Sequence, residues 1–286
     1  MYSFTFPLAA QQSMFVPERP GQTWSTGVAG AGYLHIEGGL SMDRASFTPA
    51  RVEGTFDGGE VFNNMVWQVP AMMLRLGIRE GVELRLAGMY MVNSWRYDPE
   101  YFARGRRSGT VEEDEASGLN VFSVGIKTKL SSERGWFPES AFLVSVALPS
   151  SASSWFDIAQ PAPDIAMSFS HTPAADLSLG YCGGLSWDGF TPTPMGYASA
   201  MLALDLDTRM NLFFEYGMHI HAHDPVLHIV NAGLAFALDE DLIIDALLGF
   251  GIGQPGATSL QPAYSSIAHS DFFIGLGAAY RLKLRK

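Results

Sequence analysis

Residues 272–285 read Phe272-Phe-Ile-Gly-Leu-Gly-Ala-Ala-Tyr-Arg-Leu-Lys-Leu-Arg285. Side chains alternate across an extended strand, so this stretch carries two faces. Phe272, Ile274, Leu276, Ala278, Tyr280, Leu282 and Leu284 share one; Phe273, Gly275, Gly277, Ala279, Arg281, Lys283 and Arg285 share the other. The exposed face of a soluble sandwich would favour Lys, Glu and Thr. Here the second face is Gly and Ala with isolated charges, which suits the concave inside of a closed sheet.

The pattern repeats upstream. Leu242, Ile244, Ala246, Leu248, Phe250 and Ile252 oppose Ile243, Asp245, Leu247, Gly249 and Gly251. Leu177, Leu179, Tyr181, Leu185 and Trp187 oppose Ser178, Gly180, Cys182, Gly184 and Ser186. Twelve segments qualify as strands: 32–43, 61–77, 81–95, 118–130, 138–149, 163–171, 175–187, 195–206, 209–221, 226–238, 241–253 and 271–285. Their apolar stretches run about 9–11 residues, the length a tilted strand needs to cross a bilayer, and none approaches the roughly 20 of a membrane helix. Tyr33, Tyr90, Trp95, Trp187, Tyr197, Tyr216 and Tyr280 fall near strand ends, where an aromatic girdle would lie.

The connections add an independent signal. Those at 78–81, 172–174, 207–208 and 239–240 are short. Those of the other parity, 44–60, 96–117, 150–162, 188–194, 222–225 and 254–270, are mostly longer, and 131–137 is the one long member of the short set. All short turns then lie at one end, as in outer-membrane barrels with short periplasmic turns. An even strand count puts both termini at that end. The chain is therefore expected to be all-β: a single antiparallel up-and-down transmembrane β-barrel of about 12 strands.

Composition bounds the function. The 286 residues are 47% hydrophobic and 16% charged, which excludes disorder. A net charge of −11 argues against nucleic acid as a partner. The lone Cys182 can form no internal disulfide. There is no Gly-x-Ser-x-Gly elbow or phosphate loop, so neither an enzyme nor a cofactor is expected. Residues 1–31 form an irregular N-terminal extension and 32–286 the barrel. Residues 1–10 read either as the remnant of a signal peptide or as mature chain. Residues 16–31 contain Pro17-Glu-Arg-Pro-Gly-Gln22 and read either as a plug in the lumen or as a lining of the periplasmic mouth.

Several ordered motifs carry a resemblance. They are Pro17–Gln22, Gly32-Tyr-Leu-His-Ile-Glu-Gly38, Leu74-Arg-Leu-Gly-Ile-Arg-Glu-Gly-Val-Glu-Leu-Arg-Leu86, Val124-Gly-Ile-Lys127, Leu177-Ser-Leu-Gly-Tyr181, Leu212-Phe-Phe-Glu-Tyr216 and Gly275-Leu-Gly-Ala-Ala-Tyr-Arg281. From about Val16 to Arg285 the chain resembles the outer-membrane proteins grouped under the MetA pathway of phenol degradation. The resemblance implies an outer-membrane channel or transporter for small solutes, including hydrophobic or aromatic ones. Two departures stand out. Cys182 replaces the family's Asn after Gly-Tyr, and the chain ends Tyr280-Arg-Leu-Lys-Leu-Arg-Lys286 without a terminal aromatic.

Strand parity nominates the lumenal residues: His35, Glu37, Arg75, Glu83, Arg85, Lys127, Asp205, Glu215, Asp245 and Arg281. They could select solutes as a polar constriction, or pair with one another and pack the lumen shut. His219, His221 and His223 fall on one face at i, i+2 and i+4 of a strand, a weak metal-binding pattern for which a polar pore mouth is the simpler account. Glu112-Glu-Asp-Glu115 reads as a solvated loop. The expected partners are membrane lipid, lipopolysaccharide and a small solute, in the outer membrane of a Gram-negative bacterium. The rivals are a structural barrel with a plugged lumen and a soluble ligand-binding barrel.

Overall fold

The computed structural model describes residues 15–19, 21–47, 62–97, 111–222, 226–252 and 272–284. They contain strands and no helix. In chain order these are β1 (Tyr33–Phe47), β2 (Phe62–Arg79), β3 (Val82–Tyr97), β4 (Glu112–Leu119), β5 (Ser123–Ser131), β6 (Glu139–Ala147), β7 (Ala162–Ala174), β8 (Leu177–Ser186), β9 (Met195–Asp205), β10 (Met210–Ile220), β11 (Leu227–Ala237), β12 (Leu242–Ile252) and β13 (Phe272–Lys283). Each strand pairs antiparallel with its neighbours, and β1 closes the ring by pairing with both β2 and β13. The result is a twelve-stranded barrel with one additional strand.

That additional strand is where the structure departs from the sequence reading. The fourth segment was expected as one strand at 118–130. Instead β4 pairs with the upper half of β3, from Leu119 opposite Tyr90 to Glu112 opposite Tyr97. β5 pairs with the lower half, from Ser123 opposite Ala87 to Thr128 opposite Val82. The two are halves of one descending crossing, interrupted at 120–122. Glu112–Glu115, expected as a solvated loop, lies in β4. There Arg96 Nε meets Glu113 Oε1 at 2.8 Å and the Tyr97 hydroxyl donates to Glu112 at 2.8 Å. An acidic run can form a strand where its outer face meets water and its backbone has a partner. The free edge of β4 is met by the loop between β6 and β7: Ser153 N donates to Leu119 O at 2.9 Å.

The wall is inverted relative to a soluble protein. Leu276 is 57% exposed and Phe214 55%, while Arg75 and Lys127 are 0% exposed. Leu40, Met72, Leu84, Ile126, Leu202, Leu234, Ile244 and Leu248 continue the apolar outer surface around the ring. Such a belt needs lipid. It rules out the soluble-barrel reading, and the protein is an outer-membrane β-barrel. The short turns are built by their own residues. Asp207 Oδ1 accepts the amides of Arg209 and Met210, and Asp239 Oδ1 accepts those of Asp241 and Leu242, the same device twice.

The girdle reading splits. Tyr90, Tyr216 and Tyr280 are exposed on the outer face. Tyr33, Trp95 and Tyr197 are not girdle residues. Their strand parity matches that of His35, Asn93 and Ser199, which are buried inside, so they face the lumen. Proximity to a strand end does not fix the face; parity does.

Candidate functional site: a charged floor and its covering loop

The short-turn half of the lumen carries a compact ionic cluster. Strand pairing brings it together, because His35 lies opposite Arg75 and Arg75 opposite Arg85 on three adjacent strands. Arg75 Nη1 meets Glu37 Oε1 at 2.8 Å, and its Nε and Nη2 meet the two oxygens of Glu83 at 3.0 Å each. The wall residues alone do not balance, since Arg75, Arg85 and Lys127 face only Glu37 and Glu83.

The missing anion comes from outside the wall. Residues 15–19 and 21–31 lie in the lumen at the short-turn end and fold across it. Glu18 on this loop meets Lys127 Nζ at 2.5 Å, Arg85 at 3.5 Å and Arg75 at 3.7 Å. Burial by itself would raise its carboxyl pKa. Lys127, Arg85 and Arg75 outweigh burial and hold it at about 2.

Most remaining links run to the loop's backbone. Arg75 also donates to the carbonyls of Val16 and Gly27 at 2.9 Å each, so all five of its N–H groups are used. Lys127 completes its three donors on Glu18, Ser25 Oγ at 3.2 Å and Gly27 O at 2.9 Å. Glu37 accepts the amides of Glu18 at 2.9 Å and Arg19 at 3.3 Å. Glu83 accepts the amide of Ala29 at 2.5 Å. Glu215 accepts those of Gln22 and Thr23, and the Asn231 side-chain amide at 2.6 Å. Buried charges are costly unless every donor and acceptor is matched. Here the loop supplies much of the matching, although Arg85 Nη1 is left with only its 3.5 Å ion pair to Glu18.

Two glycine contacts show how closely the loop is seated. A Cβ at Gly77 would meet the carbonyls of Ala29 and Gly30. Gly39, Gly277 and Asp245 lie in one row across β1, β13 and β12. The Arg19 guanidinium lies on the two glycines, where a Cβ on either would collide with it, and reaches Asp245 Oδ1 at 3.5 Å.

Of the residues nominated from parity, Glu37, Arg75, Glu83, Arg85 and Lys127 come together in the cluster, and His35 lies beside it. His35 is buried, with its ring 4.8 Å from that of Phe15. Glu215 and Asp245 sit farther round the wall and hold the loop separately. Arg281 lies at the periplasmic rim, where it meets Asp241 at 2.7 Å. Asp205 is exposed at the end of β9 and accepts from Asn211 at 2.8 Å. His219 faces the lumen near Tyr197, with ring centroids 6.4 Å apart. His221 lies just past β10, and His223 lies outside the described residues. Among the described residues no set of three or more His, Cys, Asp or Glu is placed to hold a metal.

Sequence reasoning missed Glu18, Arg19, Trp24, Asp164 and the lumenal role of Tyr197. The nominated residues of the first four expected strands hold three cations, Arg75, Arg85 and Lys127, against two anions, Glu37 and Glu83, and that local surplus was the available signal for Glu18.

Above the floor the lumenal wall carries an apolar cluster on either side of β1, interspersed with the buried polar side chains of Asp43, Gln68 and Asn93. Leu227, Ile229 and Phe273 form one cluster with Leu247; Val66, Met91, Ala116 and Phe156 form another with Met89 and Trp95.

No protein-family model matches the chain, and no curated protein does. Solved structures do. An outer-membrane channel from Pseudomonas putida F1 aligns at a TM-score of 0.61 with 10% identity, over 92% of this chain and 99% of that one. The NanC porin aligns at 0.50 with 8% identity, over 86% and 100%. The translocator domain of the autotransporter NalP from Neisseria meningitidis aligns at 0.50 with 12% identity, over 89% and 90%. At these identities the likeness is one of fold.

Proposed function

We propose that this outer-membrane barrel is a channel or transporter for small, largely hydrophobic or aromatic solutes, closed at its periplasmic end by residues 15–31. One observation carries the proposal. A separate loop lies across the short-turn end of the lumen, held to the wall chiefly through hydrogen bonds and ion pairs, with Phe15 as its apolar foot. A seal of that kind can be exchanged for water and ions when it lifts. The apolar clusters above it favour solutes with little charge. The motif resemblance to the MetA-pathway proteins points the same way, and the two structural neighbours whose names describe them as a channel and a porin support a non-enzymatic role. The outer wall would meet lipid, and lipopolysaccharide in the outer leaflet.

A permanently sealed structural barrel is the second reading, favoured by the full use of the Arg75 and Lys127 donors in the floor. Planar-bilayer recording separates the two. We expect stepwise openings that become more frequent in Glu215→Gln, which weakens the hold on Gln22 and Thr23. Silence in both proteins across voltage and pH would leave the structural reading standing.

A further inference from the structure

We propose that the Trp24 indole occupies a site in its own barrel that accepts a neutral aromatic solute bearing an N–H or O–H donor on its ring edge. This deepens the channel reading and relies on it only for the route by which a solute arrives.

Trp24 is half-buried on the covering loop; two wall strands contact its side chain and a third supports one of those contacts. The Arg85 guanidinium of β3 stands 4.7 Å from the ring centroid. The indole Nε1 donates to the Tyr197 hydroxyl of β9 at 3.2 Å. That hydroxyl donates in turn to Asp164 Oδ1 of β7 at 2.9 Å.

These groups are positioned independently of Trp24. Gly184 on β8 lies directly opposite Tyr197, and a Cβ there would sit 2.6 Å from the Tyr197 hydroxyl. The glycine therefore lets the tyrosine lie across β8 toward β7. Arg85 is held from the wall by Met73 Sδ at 2.8 Å and Glu83 at 3.9 Å, apart from its 3.5 Å contact with Glu18 of the loop. The cage belongs to the wall, so it persists when the indole swings out.

Its chemistry defines the ligand. Tyr197 gives its only proton to Asp164, which leaves the phenol oxygen as an acceptor. A ring edge must therefore offer a donor; an edge carrying only lone pairs or a methyl group leaves that oxygen unpaired. The guanidinium over the face favours an electron-rich ring and disfavours a cation. A donor-bearing aromatic such as indole meets both demands, as Trp24 does. Because Trp24 is tethered beside the cage, it competes at high effective concentration. A solute that wins breaks the Trp24–Tyr197 link and leaves the hydrogen bond of Thr23 Oγ1 with Ser199 Oγ, 2.7 Å, as the loop's remaining side-chain hold on β9.

The test is calorimetry on the purified, folded barrel with indole and 1-methylindole, which lacks the donor. Trp24→Ala should bind indole saturably and at least about tenfold more tightly than the intact protein. It should bind 1-methylindole about tenfold more weakly than indole. Adding Tyr197→Phe or, as a second route to the same loss, Asp164→Asn should shrink that gap. Equal affinity for the two probes in Trp24→Ala, or no saturable binding, overturns the proposal. Bilayer recording of the same proteins separates the two claims. Discrimination without conductance defeats the channel reading and leaves the site, whereas conductance without discrimination does the reverse.

Discussion

Glu18 sits where Lys127, Arg85 and Arg75 converge, and its depressed pKa ties the seat of the loop to pH. A carboxylate whose folded value lies below its free value of 4.5 contributes stability that is complete above that value and is lost as pH falls through about 2. The amides of Arg19 and Ala29, bound to Glu37 and Glu83, should therefore keep constant hydrogen-exchange protection from pH 7 to pH 5. They should lose it as pH approaches 2. Glu18→Gln should lose much of that protection at pH 7, because it leaves Lys127 and Arg85 buried without their anion. Removing one member of a buried pair costs about 3–5 kcal/mol. Unchanged exchange in the variant would show that Glu18 does not anchor the loop. At this scale half of the site was legible. Glu37, Arg75, Glu83, Arg85 and Lys127 sit on strands whose period of two assigns each a face. Glu18 and Trp24 sit in a segment with no period, so nothing local to them announces a direction.

The row Gly39–Gly277–Asp245 is an element-scale feature, because three strands must be in register for Arg19 to lie along it. Gly277 offers a selective probe. The three atoms nearest an added Cβ there all belong to the Arg19 guanidinium, the far end of a flexible side chain, whereas at Gly39 the Leu276 carbonyl is among them. Gly277→Ala should expel the guanidinium from Asp245 and raise the frequency of channel openings while shifting the barrel's melting temperature little. A large drop in melting temperature would mean that the glycine serves the wall and not the loop. Strand alternation and turn lengths made the ring itself readable, but not the two-piece crossing of β4 and β5. Charge density alone marks Glu112–Glu115 as loop. What makes it strand is the upward extension of β3 beyond the apolar belt, a tertiary fact that gives acidic residues a hydrogen-bonding partner and a wet outer face.

For the molecule as a whole, the exposed apolar belt predicts that the protein stays monodisperse only in detergent or bilayer. Leu276, near the middle of β13, faces outward at 57% exposure. Leu276→Arg should lower folding stability in vesicles by about 2–4 kcal/mol, measured by urea titration, as expected for a charge at the bilayer midplane. A change under half a kilocalorie would put that position outside the hydrocarbon. The belt and the ionic floor also make the molecule a two-part assembly whose parts answer to different solvents. Both described ends of the covering loop lie at the same mouth. Phe15 packs on Ala237, Ile243 and Ala279, and Gly32 N donates to Gly77 O at 2.9 Å. The loop is thus laid in and not threaded, like a hinged hatch. It can be withdrawn without unzipping any pair of strands, and it can be fitted after the cylinder has closed. Sealing then becomes a late, reversible step with its own kinetics, and a free peptide of the same sequence would compete for the same berth.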